Sequence, residues 1–326
     1  MQCMTCGASV LAEDKFCEEC GTPLTASKPP TVTQGCAKCG APNSAIDAEG
    51  YCGECGFRQE QRERLEVIIN SHLAGVSDRG LRHHSNQDFL ALQQLNDTEH
   101  ILIVCDGVSS STKPELAAQT VANSACLALA AARERGETPD SAMKSAFITA
   151  LKDICNLTQV LSIKYEPPST TIVAAIVQAG VATIGWLGDS RAYWISPHGC
   201  QQLTQDDSWL NEVVAAGIIS EQQARQSPKA HAITRWLGAD AVEDAVPTII
   251  NFTIPNSGYL ILCTDGLWNY TIDAAHLGEL VQQSPSTDAI AISHTLTEFA
   301  LNSGGHDNIT VAVLCLSRGQ GTGDRG

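Results

Sequence analysis

The sequence predicts an α+β protein, in which a large domain of sheets covered by helices follows two small metal-binding units. Three observations carry this prediction. Eight of the 14 cysteines lie in the first 55 residues, apolar β-branched runs recur after about residue 73, and two long segments with helical spacing lie among them. The strands are mostly successive and do not alternate one for one with helices, which favours an α+β sandwich over a doubly wound fold.

The first 57 residues carry one cysteine pattern twice. Two CxxC pairs make each quartet: Cys3, Cys6, Cys17 and Cys20 in the first copy, and Cys36, Cys39, Cys52 and Cys55 in the second. A glycine after the second cysteine of each pair supplies the backbone angles of a tight turn that aims both sulfurs at one point. Each quartet therefore predicts a closed, structural zinc site, two Zn²⁺ ions in all, and the tandem resembles a double zinc ribbon.

A redox dithiol is the competing interpretation of the CxxC pairs. Thioredoxin-like dithiols come singly within a βαβ pattern, whereas these pairs come as two repeats, which favours zinc. A ribbon of this size buries too little apolar surface to fold alone, so zinc supplies its folding free energy. Because a closed site leaves no metal position for chemistry, the ribbons are predicted to bind a protein partner.

Changes in composition divide the chain into segments. We predict ribbons at 1–24 and 35–57, a linker at 25–34, a polar connector at 58–72, the main domain at 73–317 and a disordered tail at 318–326. Strands are predicted around 73–80 and at 101–105, 170–177, 181–187, 191–195, 259–263 and 309–316. Helices are predicted at 117–131, 143–161, 273–283 and 287–301, with a short helical insertion within 205–240.

Aspartates recur next to these strands. They are Asp88, Asp106, Asp189, Asp265 and Asp307. One aspartate at a strand end is usually a turn or cap residue. Five together indicate a buried carboxylate cluster, which stays ionised only with cations as counter-charge. Oxygen ligands favour hard divalent ions, so the sequence predicts magnesium or manganese at this cluster.

The segments around the aspartates match a family in order. SDRGLRHHSNQDFL, VCDGVSSS, GWLGDSRAYWI, LCTDGLWNY and GGHDNITVAVL resemble the motif series of the type 2C metal-dependent serine/threonine protein phosphatases, the PPM family, in its bacterial form. The resemblance implies a four-layer αββα sandwich, two antiparallel sheets flanked by helices. It also implies hydrolysis of phosphoserine and phosphothreonine in protein substrates by a water that two metal ions activate, without a protein nucleophile.

The resemblance also implies a role for each motif residue. Asp106 bridges two Mn²⁺ or Mg²⁺ ions, Gly107 offers its carbonyl, Asp265 and Asp307 hold the second ion, Asp88 acts through metal-bound water, and Asp189 with Asp265 forms a third metal site. Residues 205–240 correspond to the flap beside the active site of the family.

The chain departs from the family at the residue that grips the substrate phosphate. The family has an arginine three residues before the asparagine of the N-[EQ]-D element, and here His83 holds that place. Arg82 is adjacent, but neighbouring strand residues face opposite sides, so it could substitute only where the strand bulges. We expect His83 to contact the phosphate, more weakly than a bidentate arginine would; the alternative is a surface histidine. Val108 stands where eukaryotic members carry a histidine thought to act as the acid, which leaves water to protonate the leaving oxygen.

The sequence is compatible with two other function classes. The first is a non-catalytic, phosphoprotein-binding scaffold on a phosphatase fold, which the complete set of Asp106, Asp265 and Asp307 disfavours. The second is a nucleic-acid-binding zinc protein. The first 60 residues hold four basic and eight acidic residues, a net of −4, and the chain carries −16 at pH 7, which argues against nucleic acid and anionic membranes. No signal-like or membrane-spanning apolar stretch is found, which predicts a cytoplasmic protein.

Overall fold

The computed structural model describes residues 38–42, 45, 51–56, 63–241, 245–271 and 273–316. The chain divides into two compact units, residues 1–61 and 62–326, and each is described by itself. The predicted linker at 25–34, the predicted tail at 318–326 and five of the ribbon cysteines lie outside the described residues. These cysteines are Cys3, Cys6, Cys17, Cys20 and Cys36.

The first unit brings three cysteines of the second quartet together. One sulfur each from Cys39, Cys52 and Cys55 lies within 4.8 Å of the others, and the Cys39 and Cys52 sulfurs are 3.7 Å apart. Gly40 and Gly56, which follow the second cysteine of each pair, have φ angles of 74° and 66°. A residue with a side chain rarely adopts such angles, so glycine makes the turn that the spacing requires.

The second unit consists of strands and helices with the following bounds. The strands are β1 Arg64–Ile68, β2 Leu73–Asp78, β3 Asp88–Asn96, β4 Glu99–Asp106, β5 Ser169–Thr170, β6 Ile172–Gln178, β7 Val181–Leu187, β8 Arg191–Ser196, β9 Gly199–Gln202, β10 Leu237–Gly238, β11 Thr248–Thr253, β12 Gly258–Cys263 and β13 Ile309–Leu316. The helices are α1 Pro114–Glu134, α2 Pro139–Val160, α3 Trp209–Ala215, α4 Glu221–Arg225, α5 Asp265–Trp268, α6 Ala274–Gln282 and α7 Ala289–Asn302.

Two antiparallel sheets form the centre of this unit. One sheet has the order β1-β2-β13-β12-β8-β9, and the other has the order β11-β7-β6-β4-β3. The short strands β5 and β10 pair with each other beside them. The last strand, β13, thus lies between β2 and β12, in the interior of its sheet.

Alternating side chains of each sheet fill two different cores. In β4, Ile101 and Ile103 belong to the core under α1 and α2, whereas Leu102 and Val104 belong to the core between the sheets. On the other side, α6 and α7 cover the six-stranded sheet through a third core. A strand alternates its side chains between the two faces of the sheet. Each strand of a sheet that is covered on both faces is therefore a continuous apolar run in the sequence. The four-layer αββα sandwich is confirmed.

The two long helices begin where the sequence supplies a start signal. Pro114 opens α1, and Pro139 opens α2 after Thr138, whose side chain accepts a hydrogen bond from the Ser141 backbone N–H at 3.3 Å. Proline suits the first helical turn because its missing N–H would have no partner there. Small side chains along α1 then let it lie close to α2 and to the sheet.

The predicted connector at 58–72 is wrong over its second half. There β1 pairs with β2 as the edge strand of the six-stranded sheet. Its sequence alternates polar and apolar residues, so it reads as a surface segment, yet Leu65 and Val67 pack against the core between the sheets. The Arg64 guanidinium donates to Asp78 at 2.7 Å and to Glu298 at 2.7 Å, which fixes this edge. Residues 58–62 lie outside the described residues.

The segment between β2 and β3 differs from the strand that the sequence analysis assumed around Arg82 and His83. Residues 79–87, which include Arg82 and His83, form turns and not a strand. The argument from alternating strand faces therefore does not apply to these two residues. The helical insertion predicted at 205–240 is confirmed, since it contains α3 and α4. None of the described helices is long and apolar enough to cross a membrane.

Burial along α2 predicts the effect of two neighbouring truncations. Phe147 is fully buried under the five-stranded sheet, while the next residue, Ile148, is 54% exposed. Phe147→Ala should lower the free energy of unfolding by about 3–5 kcal/mol through lost burial and a new cavity. Ile148→Ala, the matched control, should change it by less than about 0.5 kcal/mol. Urea titration measures both values, and equal losses would contradict the assigned helix orientation.

Candidate active site

The five aspartates of the sequence prediction lie at one end of the sandwich. Asp88 begins β3 and is the direct partner of Asp106 at the end of β4. Asp189 follows β7, Asp265 begins α5 immediately after β12, and Asp307 precedes β13 by two residues. Since neighbouring antiparallel strands begin and end at the same edge, the fold converges chain segments that are far apart in sequence.

Burial and mutual repulsion control the protonation of these carboxyls. Burial, followed by the negative charge of neighbouring aspartates, raises the pKa of Asp106 well above its usual value. The same causes raise the pKa of Asp189 to about 8 and that of Asp265 to about 7. A group of carboxyls in this state needs protons or cations to neutralise it at neutral pH.

Asp88 has the most informative surroundings. Its Oδ2 accepts hydrogen bonds from the Thr264 and Thr310 hydroxyls, both at 2.8 Å. Its Oδ1 is buried and has no hydrogen-bond partner among the described residues. Burial raises the pKa of Asp88 to about 8, although the two hydroxyls oppose this shift. A buried oxygen without a partner is rare, because it loses its interactions with water and gains none in return.

The strand end that carries Asp106 is held by backbone contacts. The Asp106 carbonyl accepts hydrogen bonds from the Thr171 N–H and the Thr170 hydroxyl, both at 2.8 Å. A Cβ on the next residue, Gly107, would lie 2.5 Å from the Pro114 carbonyl oxygen and 2.7 Å from that of Gln87. Only glycine therefore allows the backbone segments to approach this closely.

Two residues at the end of α5, Trp268 and Asn269, donate hydrogen bonds to Asp189 and Asp265 respectively. The indole N–H of Trp268 donates to the Asp189 carbonyl at 2.9 Å, and the Arg191 guanidinium lies 3.6 Å from the centre of the Trp268 ring. Asn269 donates to Asp265 Oδ2 at 3.1 Å. These contacts hold the backbone at Asp189 and the carboxylate of Asp265. No sequence motif pointed to Trp268 or Asn269 for this role.

The structure brings His83 to the cluster. Its Nε2 lies 3.2 Å from Asp307 Oδ1. The loop that carries His83 is tied to the cluster by Asn308, whose side-chain amide donates to the carbonyls of Arg79 at 2.7 Å and Ser85 at 3.1 Å. Arg82 is exposed in the same loop. Of the two candidates for phosphate binding, His83 is therefore the one next to a predicted metal ligand.

Asp207, for which the sequence offered no interpretation, holds the flap. Its carboxylate accepts from the Gly188 N–H at 3.0 Å and from the Arg235 guanidinium at 3.1 Å. Gly188 immediately precedes Asp189, so these bonds connect the flap to a residue of the cluster. An acidic residue two positions after LTQ gave no sequence signal for such a contact.

The described residues fit a centre for hard divalent cations. Carboxylate oxygens are the ligands that Mg²⁺ and Mn²⁺ prefer. The unpartnered Asp88 Oδ1 and the raised pKa values of four buried carboxyls both indicate a missing positive charge. Cations at this end of the sandwich would satisfy these groups together.

Comparison with known families decides the identity of the main unit. A family model described as "Protein phosphatase 2C" matches residues 80–299, more than half of the chain. The chain belongs to the protein phosphatase 2C family. A second model, described as "Double zinc ribbon", matches residues 3–56, the segment that contains all eight clustered cysteines.

Relatives of the phosphatase 2C domain agree with this membership. The serine/threonine phosphatase Stp of Listeria monocytogenes is 28% identical over 252 residues, which cover 74% of this chain and 95% of that protein. The catalytic domain of the serine/threonine protein phosphatase PstP, solved with two manganese ions, is 25% identical with a TM-score of 0.60 and covers 78% of this chain and 99% of its own. The phosphatase Stp1 of Staphylococcus aureus shares the fold, with 22% sequence identity and a TM-score of 0.64. The match covers 79% of this chain and 96% of Stp1.

Raised pKa values predict how metal and pH affect stability. Burial raises the pKa of Asp88 to about 8 and that of Asp265 to about 7, above the usual value for an aspartate. In the absence of divalent metal the folded chain therefore binds more protons, so its stability should rise as pH falls from about 8 towards 4. Mn²⁺ competes with these protons, so added Mn²⁺ should raise the melting temperature more at pH 8 than at pH 6.

Differential scanning fluorimetry of the zinc-loaded chain, with and without Mn²⁺, measures this difference. At 100 times its dissociation constant a bound ion stabilises by about 2.7 kcal/mol. Asp97→Asn is the matched control, because Asp97 is exposed in the β3–β4 turn, and it should leave the Mn²⁺ effect intact. An equal rise at both pH values would contradict the assigned proton competition.

Proposed function

We propose that the chain hydrolyses phosphoserine and phosphothreonine in proteins by direct attack of water at the five-aspartate centre. The single observation that carries this proposal is the buried carboxylate cluster with its unpartnered Asp88 Oδ1, placed on a phosphatase 2C domain. Relatives named as serine/threonine phosphatases support the substrate class.

Mn²⁺ or Mg²⁺ is the proposed cofactor of this centre. We assign Asp106 and the Gly107 carbonyl to a pair of ions, Asp265 and Asp307 to the second of them, and Asp189 with Asp265 to a third. When bound, such ions neutralise phosphate charge and lower the pKa of water. Asp88 completes the set: Thr264 and Thr310 hold its Oδ2 in place, and its Oδ1 stays available to the centre.

The protein side chains near the centre are unsuited to act as the nucleophile. Burial raises the pKa of the Cys105 thiol well above its usual value and that of Cys263 to about 12, so neither thiol ionises near neutral pH. The Ser109 hydroxyl donates to Gln87 Oε1 at 2.8 Å, and no base activates it among its described contacts. Water is therefore the nucleophile that the residues favour. The Val108 side chain has no proton to donate, so the leaving oxygen takes its proton from water.

His83 is the proposed phosphate contact. Its Nε2 lies 3.2 Å from Asp307 Oδ1, which places the imidazole ring at the edge of the proposed centre. An imidazole offers one hydrogen bond in this direction, whereas an arginine would offer two. We therefore expect weaker phosphate binding than an arginine at this position would give.

The ribbons are proposed to hold two structural zinc ions and to bind a protein partner. Three sulfurs of the second quartet lie within 4.8 Å of each other, as a common ligand set requires. The matching Double zinc ribbon model supports the same arrangement for the first quartet.

Relatives named as serine/threonine phosphatases disfavour the non-catalytic scaffold, and substitution of Asp265 distinguishes it from the enzyme by experiment. Asp265→Asn removes one charge from the proposed metal ligands and should lower Mn²⁺-dependent hydrolysis of para-nitrophenyl phosphate and of a phosphothreonine peptide by about 100-fold or more. Asp97→Asn makes the same charge change at an exposed turn and should keep wild-type rates. Wild-type protein without turnover in the presence of Mn²⁺ would refute the enzyme and favour the scaffold.

Substitution of His83 and Arg82 tests the phosphate contact. His83→Ala should raise KM for the phosphothreonine peptide by about tenfold or more, the effect of one hydrogen bond to a charged group. His83→Arg should restore or lower KM, because the guanidinium is bidentate. Arg82→Ala is the matched control and should leave KM near its wild-type value. Indifference to His83→Ala together with loss of activity in Arg82→Ala would show that Arg82 is the contact.

A further inference from the structure

A cavity of about 330 Å³ opens beside the proposed catalytic centre. We call it the flap cavity. It lies between the loop that follows Gly107, the segment before β5 and the end of the flap. The lining residues that matter here are Val108, Glu166, Ser169, Ile233, Trp236 and Asp240. None of the proposed metal ligands and neither candidate for the phosphate contact lines this cavity.

The position of the flap cavity relative to the centre is fixed by hydrogen bonds. Val108 directly follows Gly107, and its N–H donates to the Ser169 carbonyl at 2.9 Å. Two residues after Ser169, the Thr171 N–H donates to the Asp106 carbonyl at 2.8 Å. The cavity wall and the proposed bridging ligand are thus held in one hydrogen-bonded frame. A peptide with its phosphate at the centre would place a neighbouring side chain at this cavity.

The chemistry of the cavity wall is set by Trp236 and Asp240. The Trp236 indole N–H donates to Asp240 Oδ1 at 3.1 Å, and the Ser169 hydroxyl lies 3.3 Å from the same oxygen. Both bonds go to Oδ1, so the ring is held in place while Oδ2 remains for a ligand. An aromatic face next to a carboxylate is an arrangement that binds ammonium and guanidinium groups.

The net charge of the residues that line the cavity is negative. Glu166 and Asp240 contribute two carboxylates, and no lysine, arginine or histidine is among the residues that line it. Of the cations close in sequence to the lining, Lys113 lies 3.7 Å from Glu115 and Arg235 binds Asp207. Lys164, two residues before Glu166, is exposed and is not among the lining residues. An anionic cavity on a chain of net charge −16 attracts basic segments and repels acidic ones.

We propose that the flap cavity binds a lysine or arginine side chain of the substrate, close in sequence to the phosphorylated residue. This inference rests on the proposed phosphatase function and names its substrate class: phosphoproteins with a basic residue beside the phosphosite. The aliphatic part of that side chain packs on Ile233 and the Trp236 ring, while its charged end meets Asp240 and Glu166.

A peptide series tests the proposal on the full-length chain loaded with Zn²⁺ and Mn²⁺. Phosphothreonine peptides with alanine flanks carry one arginine, or in a second set one glutamate, moved through each neighbouring position. At one position arginine should raise kcat/KM by about tenfold over alanine, chiefly through KM, and glutamate should lower it. Hydrolysis of para-nitrophenyl phosphate, which has no flanking residues, is measured alongside.

Two variants assign the effect to the cavity. Asp240→Asn keeps an Oδ1 acceptor for Trp236 and Ser169 but removes the charge, and Glu166→Gln removes the charge of the other lining carboxylate. Each variant should bring the arginine-to-alanine ratio close to one. Asp97→Asn should keep the ratio of the wild type. If para-nitrophenyl phosphate is hydrolysed but arginine gives no preference at any position, or if both variants keep it, the inference is overturned alone. No hydrolysis of para-nitrophenyl phosphate overturns the phosphatase function and the inference together.

Discussion

Mutual repulsion of carboxylates buried at one end of the sandwich is the constraint on which the main unit depends. Burial alone raises the pKa of each of Asp88, Asp106, Asp189 and Asp265, and their neighbours raise these values further. A protein that only had to be stable would not place these groups together. The surrounding structure is arranged to hold the oxygens apart from water and available to cations: threonine hydroxyls hold one side of Asp88, and a glycine follows Asp106 where backbone segments meet.

The sandwich supplies the rigidity that this arrangement needs. The ends of β4 and β12 and the starts of β3 and β13 lie at the same end of the sandwich, although they belong to different sheets and to distant parts of the domain sequence. Three cores fix the sheets relative to each other and to the helices. Two less regular parts of the domain, the 79–87 loop and the flap, reach the centre through Asp307 and Gly188.

The sequence predicted the central strands, the four long helices and the convergence of the aspartates, because doubly covered strands are continuous apolar runs and the aspartates mark their ends. It missed the four strands at the sheet edges, which are β1, β3, β9 and β11, and the two-residue strand β10. Edge strands carry exposed positions and resemble surface segments, as the burial of β1 and β11 shows. It also missed Thr264, Thr310 and Trp268, since the hydrogen bonds that give them a role join residues distant in sequence. The sequence left the choice between Arg82 and His83 open because it was read as a strand there, whereas residues 79–87 form a loop. A short polar segment does not distinguish a strand from a loop.

The position of β13 between β2 and β12 bears on how the protein is made. Until residues 309–316 have left the ribosome, the six-stranded sheet exists as two separate parts, and β2 and β12 each expose an unpaired edge. Asp307 joins the other aspartates only when this strand is inserted. The nascent chain therefore completes its cation centre last, after nearly the whole domain has been synthesised, and folding of the sheet waits for its most distant contact in sequence.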